Sequence, residues 1–339
     1  MRELKIALLE ITNRCNLNCL GCGSDSKNIT NPNELSTSEW FQAIDELNQL
    51  GARKIVLSGG EPTLRDDVVK LIIRICTLKM EYAIISNGFV LPSNILETMR
   101  EYPPYAFGVS IDGKPATHNR LRGKKNSFSK LLGTIISLQK EGIPISVNTT
   151  IHKENYQELP RLANFLKERR IYGWQIQLAM PFGRMKENKE LVLSQKEFAW
   201  VCVFVAKASE ALPEIRIAAA DDFAYAPAGV IRDGEWGGCS AGLSAIGIDA
   251  LGNVKGCLSM TECQPEGNLR KKSLTEIWRD ENNFAYNRKF KLDNLTPECQ
   301  KCEKALICKG GCNSQSYSMT GKFNQSPFCF WQTIMKERR

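Results

Sequence analysis

The sequence has very little histidine and no long apolar run. Only two of its 339 residues are histidine, which leaves few partners for zinc sites that combine cysteine with histidine. No apolar run approaches the roughly 18 residues of a transmembrane helix. The N-terminus passes into an apolar run at Ile6 without the segments of a secretion signal. We therefore expect a cytoplasmic protein with no membrane partner.

A dense Lys/Arg tract with interleaved aromatic residues is also lacking. The net charge of +8 is spread along the chain, so we expect no nucleic acid partner. Apolar residues make up 42% of the sequence, as in globular proteins, and the length predicts one large domain plus a smaller one. Thirteen cysteines in clustered spacings, without a secretion signal, favour thiolate ligands over disulfides.

The most informative feature is the spacing Cys15-x3-Cys19-x2-Cys22. Three thiolates on one short loop can hold three irons of a 4Fe–4S cluster and leave the fourth iron open to a small molecule. The apolar run before them, Ile6–Ile11, predicts a buried strand, so the loop follows the strand's C-terminal end, where α/β folds bind ligands. Structural zinc is the alternative, but the three-residue gap does not suit a zinc knuckle.

Apolar runs then alternate with amphipathic segments as far as about residue 210, which predicts a parallel sheet with outer helices. The predicted strands are Lys54–Leu57, Tyr82–Ile85, Ala106–Ile111, Ile143–Asn148 and Tyr172–Ala179. The predicted helices are Thr37–Leu50, Asp66–Leu78, Ser93–Glu101, Ser127–Glu141, Glu158–Arg169 and Ser194–Glu210. Six such units are too few for a closed eight-fold barrel.

The cysteine loop resembles that of the radical S-adenosylmethionine (SAM) enzymes, whose core is a partial (β/α)6 barrel. In that family the open iron chelates SAM, and reduction of the cluster gives a 5′-deoxyadenosyl radical that abstracts a hydrogen atom from substrate. Further family-like motifs are Gly59-Gly60-Glu61-Pro62, Ser86-Asn87-Gly88, Ser110-Ile111-Asp112-Gly113 and His118-Asn119-Arg120-Leu121-Arg122-Gly123. The resemblance implies that SAM is bound by Gly59, Gly60, Glu61, Pro62, Asn87, Ser110 and Arg122. Asn148 and Gln177 are candidate adenosine or substrate contacts.

Seven later cysteines resemble the SPASM extension of these enzymes: Cys239, Cys257, Cys299, Cys302, Cys308, Cys312 and Cys329. The resemblance assigns Cys239, Cys257 and Cys312 to auxiliary cluster I, and Cys299, Cys302, Cys308 and Cys329 to auxiliary cluster II. Cys263 is the natural fourth ligand of cluster I, unless that iron is open to substrate. Zinc is again the structural alternative. The expected domains are residues 1–212 (core), 213–238 (linker) and 239–339 (SPASM), with three 4Fe–4S clusters in all.

The resemblance is strongest to peptide-modifying maturases, which implies an oxidative thioether or carbon–carbon crosslink in a ribosomally made peptide. A leader peptide or a separate leader-binding protein would then assist, and a flavodoxin or ferredoxin would donate electrons. The alternative is a dehydrogenase or epimerase acting on a sugar, an aminocyclitol or a peptide residue. An epimerase needs a thiol hydrogen donor, for which Cys202, Cys263 and Cys76 are candidates. A non-enzymatic zinc or electron-transfer scaffold is a third reading, which the open-iron loop and Glu61 motif disfavour.

Overall fold

The computed structural model describes residues 2–220 and 237–337. Within these residues, ten strands form a single sheet. The strands are β1 (Ile6–Glu10), β2 (Lys54–Ser58), β3 (Glu81–Ser86), β4 (Ala106–Ser110), β5 (Ile145–Ile151), β6 (Gly173–Leu178), β7 (Arg216–Ala219), β8 (Ala245–Ile248), β9 (Asn253–Lys255) and β10 (Gly267–Asn268).

The helices of the first two-thirds of the chain connect the parallel strands. They are α1 (Thr37–Gln49), α2 (Val68–Thr77), α3 (Ser93–Glu101), α4 (Pro115–Leu121), α5 (Ser127–Lys140), α6 (Leu159–Glu168) and α7 (Gln195–Ala211). The later helices are short: α8 (Leu274–Arg279), α9 (Ala285–Arg288), α10 (Pro297–Gln300), α11 (Ala305–Cys308), α12 (Asn313–Thr320) and α13 (Phe330–Glu337). Short 3-10 helices cover Pro62–Leu64, Tyr156–Glu158, Gly183–Leu191 and Leu292–Asn294.

Helix α1 illustrates why these segments fold as they do. Ser36 precedes it and accepts a hydrogen bond from the Glu39 amide, while the Glu39 carboxylate accepts one from the Ser36 amide. This capping box satisfies amide groups that a helix start would otherwise leave unpaired. The side chains of Trp40, Ala43, Ile44 and Leu47 are buried, and their spacing places them on one face. That face therefore packs against the sheet.

The sheet runs in the order β10-β9-β8-β1-β2-β3-β4-β5-β6-β7. Strands β1 to β7 are all parallel, and β8 also pairs in parallel with β1, joining Ile6 to Ala245 and Leu9 to Ile248. The hairpin strand β9 is antiparallel to β8. Because sequential parallel strands are neighbours, their C-terminal ends lie along one edge, where ligands bind in such sheets.

The predicted α/β class, with a parallel core and a C-terminal extension, is confirmed. Each of the six predicted core strands is present, with ends that differ from the predicted ones by at most three residues. Strand β7 and the pairing of β8 with β1 were not predicted. Most of the predicted linker, residues 221–236, lies outside the described residues. In the part of the chain that the structure describes, no helix is both long enough and apolar enough to span a bilayer.

Candidate functional site

One cavity of about 620 Å³ opens at the C-terminal edge of the parallel strands. It is lined by cysteines from both halves of the sequence: Cys15, Cys19 and Cys22 from the first loop, and Cys239, Cys257 and Cys312 from the extension. Other predicted site residues that line it are Gly59, Gly60, Asn87, Ser110, Arg122, Asn148 and Gln177. The fold thus brings together residues that are up to 297 positions apart (Cys15 to Cys312) around one space.

The first cysteine loop is held on both sides by hydrogen bonds to its backbone. The Cys15 amide donates to the Lys27 carbonyl at 3.0 Å. Arg184, from the segment after β6, donates from Nε to the Cys19 carbonyl at 2.9 Å and from its amide to the Cys22 carbonyl at 3.0 Å. Arg184 is therefore a positioning residue for this loop that the sequence motifs did not reveal.

Two polar side chains approach the thiols of this loop. Asn87 Nδ2 lies 3.8 Å from Cys15 Sγ, and Arg122 Nη1 lies 3.9 Å from Cys19 Sγ. Burial raises the pKa of Cys15 to about 11 and also raises the pKa of Cys19, although Arg122 opposes the second shift. Because burial disfavours free thiolates here, a positive charge such as iron is needed to hold them deprotonated.

Gly59 and Gly60 contact the cysteine loop directly. Gly59 has a φ of +151°, which side-chain-bearing residues rarely adopt. A Cβ at Gly60 would lie 2.4 Å from the Arg14 carbonyl oxygen, which is far inside van der Waals contact. The Gly60 amide donates to the Thr12 carbonyl at 2.7 Å. These glycines line the cavity, and they also allow the second βα loop to lie against the first.

Glu61 and Pro62 are both buried, and Glu61 has no exposed surface. The Glu61 carboxylate accepts hydrogen bonds from the Thr63 amide and hydroxyl, from the Ser86 hydroxyl and from the Asn87 amide. Burial raises the pKa of Glu61, while these donors lower it. In this structure the carboxylate therefore binds the turn that carries Asn87, and its contact with SAM stays a prediction.

Arg122 is a positively charged residue that lines the cavity. Its Nε lies 2.6 Å from Asp112 Oδ2, and both side chains are largely buried. Arg122 lowers the pKa of Asp112, although burial acts in the opposite direction. His118 is fully buried beside this pair: its Nδ1 accepts from the Asp112 amide at 3.3 Å, and its Nε2 lies 3.1 Å from the Ser127 hydroxyl. His118 therefore stabilises the turn that carries Asp112.

Two cavity residues were not found from the sequence. His152, just after β5, is 2% exposed, and neither ring nitrogen has a hydrogen-bond partner of good geometry in the described part of the chain. Its ring fills the space beside Gly21. Glu10 ends β1, is 8% exposed, and burial raises its pKa to about 7. The signal that could have found both is their position at the C-terminal end of a predicted strand.

The remaining predicted ligands lie in the extension. Cys263 is half-buried near Cys257, and burial raises its pKa to about 11. Cys299, Cys302, Cys308 and Cys329 fall on and around α10, α11 and the start of α13. Gln332 Nε2 lies 3.4 Å from Cys299 Sγ, which ties α13 to the α10 segment. Among the described residues that line the cavity, none of these five cysteines appears.

The other two candidate hydrogen donors are in the core. Cys202 on α7 is 0% exposed, and Cys76 on α2 packs against the hydrophobic core from outside the sheet. Neither is among the described residues that line the cavity. A hydrogen donor must reach the substrate, so this arrangement is unfavourable for both thiols.

The donor set fits iron–sulfur clusters and a bound small molecule. Three thiols on one loop leave room for an open iron. His152 and Thr261 line the cavity beside them. Within the described residues, the ring nitrogens of His152 and the hydroxyl of Thr261 have no hydrogen-bond partner. Buried polar groups without partners are uncommon, so these atoms suit a polar ligand.

Comparison with known proteins agrees with this geometry. The Radical SAM superfamily profile matches residues 9–166, and the SPASM iron–sulfur cluster-binding domain matches residues 239–303. An AdoMet-dependent heme synthase of Methanosarcina barkeri is 28% identical over 95% of both chains. A PqqA peptide cyclase of Granulibacter bethesdensis is 26% identical, over 95% of this chain and 86% of that protein.

Solved structures share the fold. Streptococcus suis SuiB bound to S-adenosylmethionine has a TM-score of 0.79 at 16% identity, over 97% of this chain and 77% of that one. The anSMEcpe structure with AdoMet and the Cp18Cys peptide has a TM-score of 0.74 at 17% identity, over 98% and 95% of the two chains. The two domains imply SAM and iron–sulfur clusters as cofactors. The chain is therefore a radical SAM enzyme that carries a C-terminal SPASM domain.

Proposed function

We propose that this enzyme oxidises a substrate held in the shared cavity. The observation that carries the proposal is that cysteines of the SAM-binding loop and of the SPASM domain line the same space. When bound, the clusters supply the electron that cleaves SAM and an acceptor for the electron that an oxidised substrate loses. Overall, SAM and one donated electron give methionine and 5′-deoxyadenosine, and the substrate loses one hydrogen atom, one further electron and one proton.

We assign the site residues as follows. Cys15, Cys19 and Cys22 hold the SAM cluster, and SAM lies against Gly59, Gly60, Asn87, Ser110 and Arg122, with Asn148 and Gln177 further along the sheet edge. Cys239, Cys257, Cys312 and Cys263 serve auxiliary cluster I. Cys299, Cys302, Cys308 and Cys329 serve auxiliary cluster II. Arg122 supports this assignment because a guanidinium suits a carboxylate, although here it must share its charge with Asp112.

In domain terms, we propose a core of residues 1–212, a linker of 213–238 and a SPASM domain of 239–339. The β1–β8 pairing makes the two domains share one sheet. A flavodoxin or ferredoxin would donate the electron that cleaves SAM.

The substrate that we favour is a ribosomally made peptide, in which the oxidation forms a thioether or carbon–carbon crosslink. A PqqA peptide cyclase is among the relatives, and SuiB, which shares the fold, has been solved with its precursor peptide SuiA. The core positions of Cys202 and Cys76 disfavour an epimerase, because that reaction returns a hydrogen atom to the substrate.

A tetrapyrrole is the second candidate substrate. Heme synthases match over nearly the full length of the chain, and a pre-heme d1 synthase of Dinoroseobacter shibae matches at 23% identity over 96% of it. The two candidates are separated by binding. The Soret absorption of an added iron porphyrin should shift when the porphyrin enters the cavity. A peptide encoded by a small neighbouring gene should reverse that shift only if the peptide binds in the same cavity.

Metal analysis tests the three-cluster assignment. Anaerobically reconstituted protein should contain about twelve irons and twelve sulfides per chain if all three clusters are 4Fe–4S. Cys15→Ala/Cys19→Ala/Cys22→Ala should lose about four irons and all reductive SAM cleavage. Zinc in place of iron at the SPASM cysteines would contradict the auxiliary assignment.

A matched pair of variants tests the oxidative reaction. Cys257→Ala alters the cavity wall and Cys302→Ala alters an exposed cysteine of the second set. Both should still form 5′-deoxyadenosine if they stay folded, and both should lose oxidised product. Normal product from either variant would make that cluster structural. One solvent deuterium in wild-type product without oxidation would contradict the proposal in favour of an epimerase.

A further inference from the structure

The Tyr286 hydroxyl is buried without a hydrogen-bond partner in the described part of the chain. Removing a hydroxyl from water without replacing its hydrogen bond costs about 1–3 kcal/mol, so such a group usually has a partner. Tyr286 lies on α9, a four-residue helix of the SPASM domain. The known chemistry of the cavity does not use it.

The hydroxyl points toward the predicted ligands of auxiliary cluster I. A Cβ placed on Gly256 would lie 2.0 Å from Tyr286 Oη, so the glycine before Cys257 is what lets the hydroxyl approach. The thiols of Cys239, Cys257 and Cys263 are among the groups that lie near enough to Tyr286 to interact with it electrostatically. A phenol hydroxyl carries its proton near neutral pH, so it is available as a hydrogen-bond donor.

The tyrosine ring is fixed in this position. It stacks on Phe323 with ring centroids 4.5 Å apart, and Phe323 in turn stacks on Tyr317 at 4.9 Å. The Tyr286 ring therefore cannot turn its hydroxyl toward solvent without losing its stacking contact with Phe323.

The next residue ties the same helix to two more of the predicted ligands. Asn287 Nδ2 donates to the Cys239 carbonyl at 3.1 Å and to the Ala241 carbonyl at 2.7 Å. Asn287 Oδ1 accepts from Asn313 Nδ2 at 2.9 Å, and Asn313 directly follows Cys312. Helix α9 is thus anchored beside all three cysteines that line the cavity from the SPASM side.

We propose that the Tyr286 hydroxyl donates a hydrogen bond to a sulfur atom of the group held by Cys239, Cys257 and Cys312. The inference rests on the proposed function, because it requires auxiliary cluster I. A hydrogen bond to sulfur stabilises the reduced, more negative cluster and so raises its reduction potential. Tyr286 is in this view a positioning and tuning residue that makes the cluster a better electron acceptor.

The test is Tyr286→Phe, which keeps the ring and removes only the hydroxyl. Wild-type and variant proteins are reconstituted anaerobically, and their clusters are titrated by EPR at known potentials. We expect auxiliary cluster I to become harder to reduce by about tenfold in equilibrium constant, which is 59 mV for one electron. The SAM cluster and the iron content should not change.

Tyr317→Phe is the matched control, since it removes a hydroxyl from the same aromatic stack. It should leave all potentials unchanged. An unchanged auxiliary potential in Tyr286→Phe with full iron content would overturn the proposal. Loss of about four irons from Tyr286→Phe would also overturn it, in favour of direct ligation by the phenol oxygen. If wild-type protein itself binds only about four irons, the proposed function fails, and this inference fails with it.

Discussion

Replacing Glu61 should destabilise the protein more than it weakens any direct contact with SAM. The Glu61 carboxylate accepts four hydrogen bonds from buried donors, at 3.1 and 2.7 Å from Thr63, 2.8 Å from Ser86 and 2.7 Å from Asn87. The Glu61 side chain has no exposed surface, so water does not accept from these four donors in the native protein.

The magnitude follows from the donors left unpaired. Glu61→Ala removes the two oxygens that accept from all four donors, and at roughly 1–2 kcal/mol for each unsatisfied donor the loss is about 4–8 kcal/mol. A loss of that size approaches the total stability of many domains, about 5–15 kcal/mol. Glu61→Gln keeps one oxygen as the acceptor for three of the donors. Its new amide group faces the Asn87 amide, so two donors meet, and the free energy of unfolding should fall by roughly 2–4 kcal/mol.

The assay is the urea concentration that unfolds half of the anaerobically reconstituted protein, measured with Glu61→Gln and with Glu97→Gln. Glu97 is exposed on α3, so its replacement should change stability by less than about 0.5 kcal/mol. SAM affinity is measured on the same samples. If Glu61→Gln unfolds at the same urea concentration as Glu97→Gln yet no longer binds SAM, the carboxylate is a ligand contact and the structural reasoning is wrong.

Three further outcomes are expected. Arg122→Met should lower the free energy of unfolding by about 3–5 kcal/mol, measured by urea titration, because it leaves buried Asp112 without its partner 2.6 Å away. Burial lowers the pKa of His118 from 6.5 to about 4, so the native state excludes a proton that the unfolded chain binds. This difference in pKa contributes about 3 kcal/mol to the free energy of unfolding above pH 6.5, and that contribution is lost as the pH falls to 4. Urea titrations of His118→Asn should not show this decrease. Gly60→Ala should displace the cysteine loop, because its Cβ would lie 2.4 Å from the Arg14 carbonyl oxygen, and iron content after reconstitution should fall; an unchanged iron content would contradict that steric argument.

Local patterns predicted the core well because its strands and helices are consecutive. Each buried strand is an apolar run followed by an amphipathic helix, and neighbouring strands in the chain are neighbours in the sheet. Helix α4, from Pro115 to Leu121, was not among the predicted helices. Pro115 stands at its start, a position where proline favours a helix because its missing amide hydrogen is not needed there.

Long-range geometry was beyond the sequence patterns. The pairing of the β8–β9 hairpin with β1 joins Ile6 to Ala245, and no local pattern encodes that contact. The same holds for the surroundings of Glu61. Its carboxylate direction depends on donors from β3 and the turn after it, which only the folded sheet brings near.

Because β8 pairs with β1, we expect the SAM-binding part and the SPASM part of the enzyme to associate even without a covalent link. Four residue pairs in register join the two strands, which contribute Ala7, Leu9, Ile246 and Ile248 to the common core. Two separate polypeptides divided between Ala220 and Gly237 should therefore associate when produced together, as in a split-protein reporter. Their copurification would turn the interface between the SAM-binding and SPASM halves into an equilibrium whose strength can be measured.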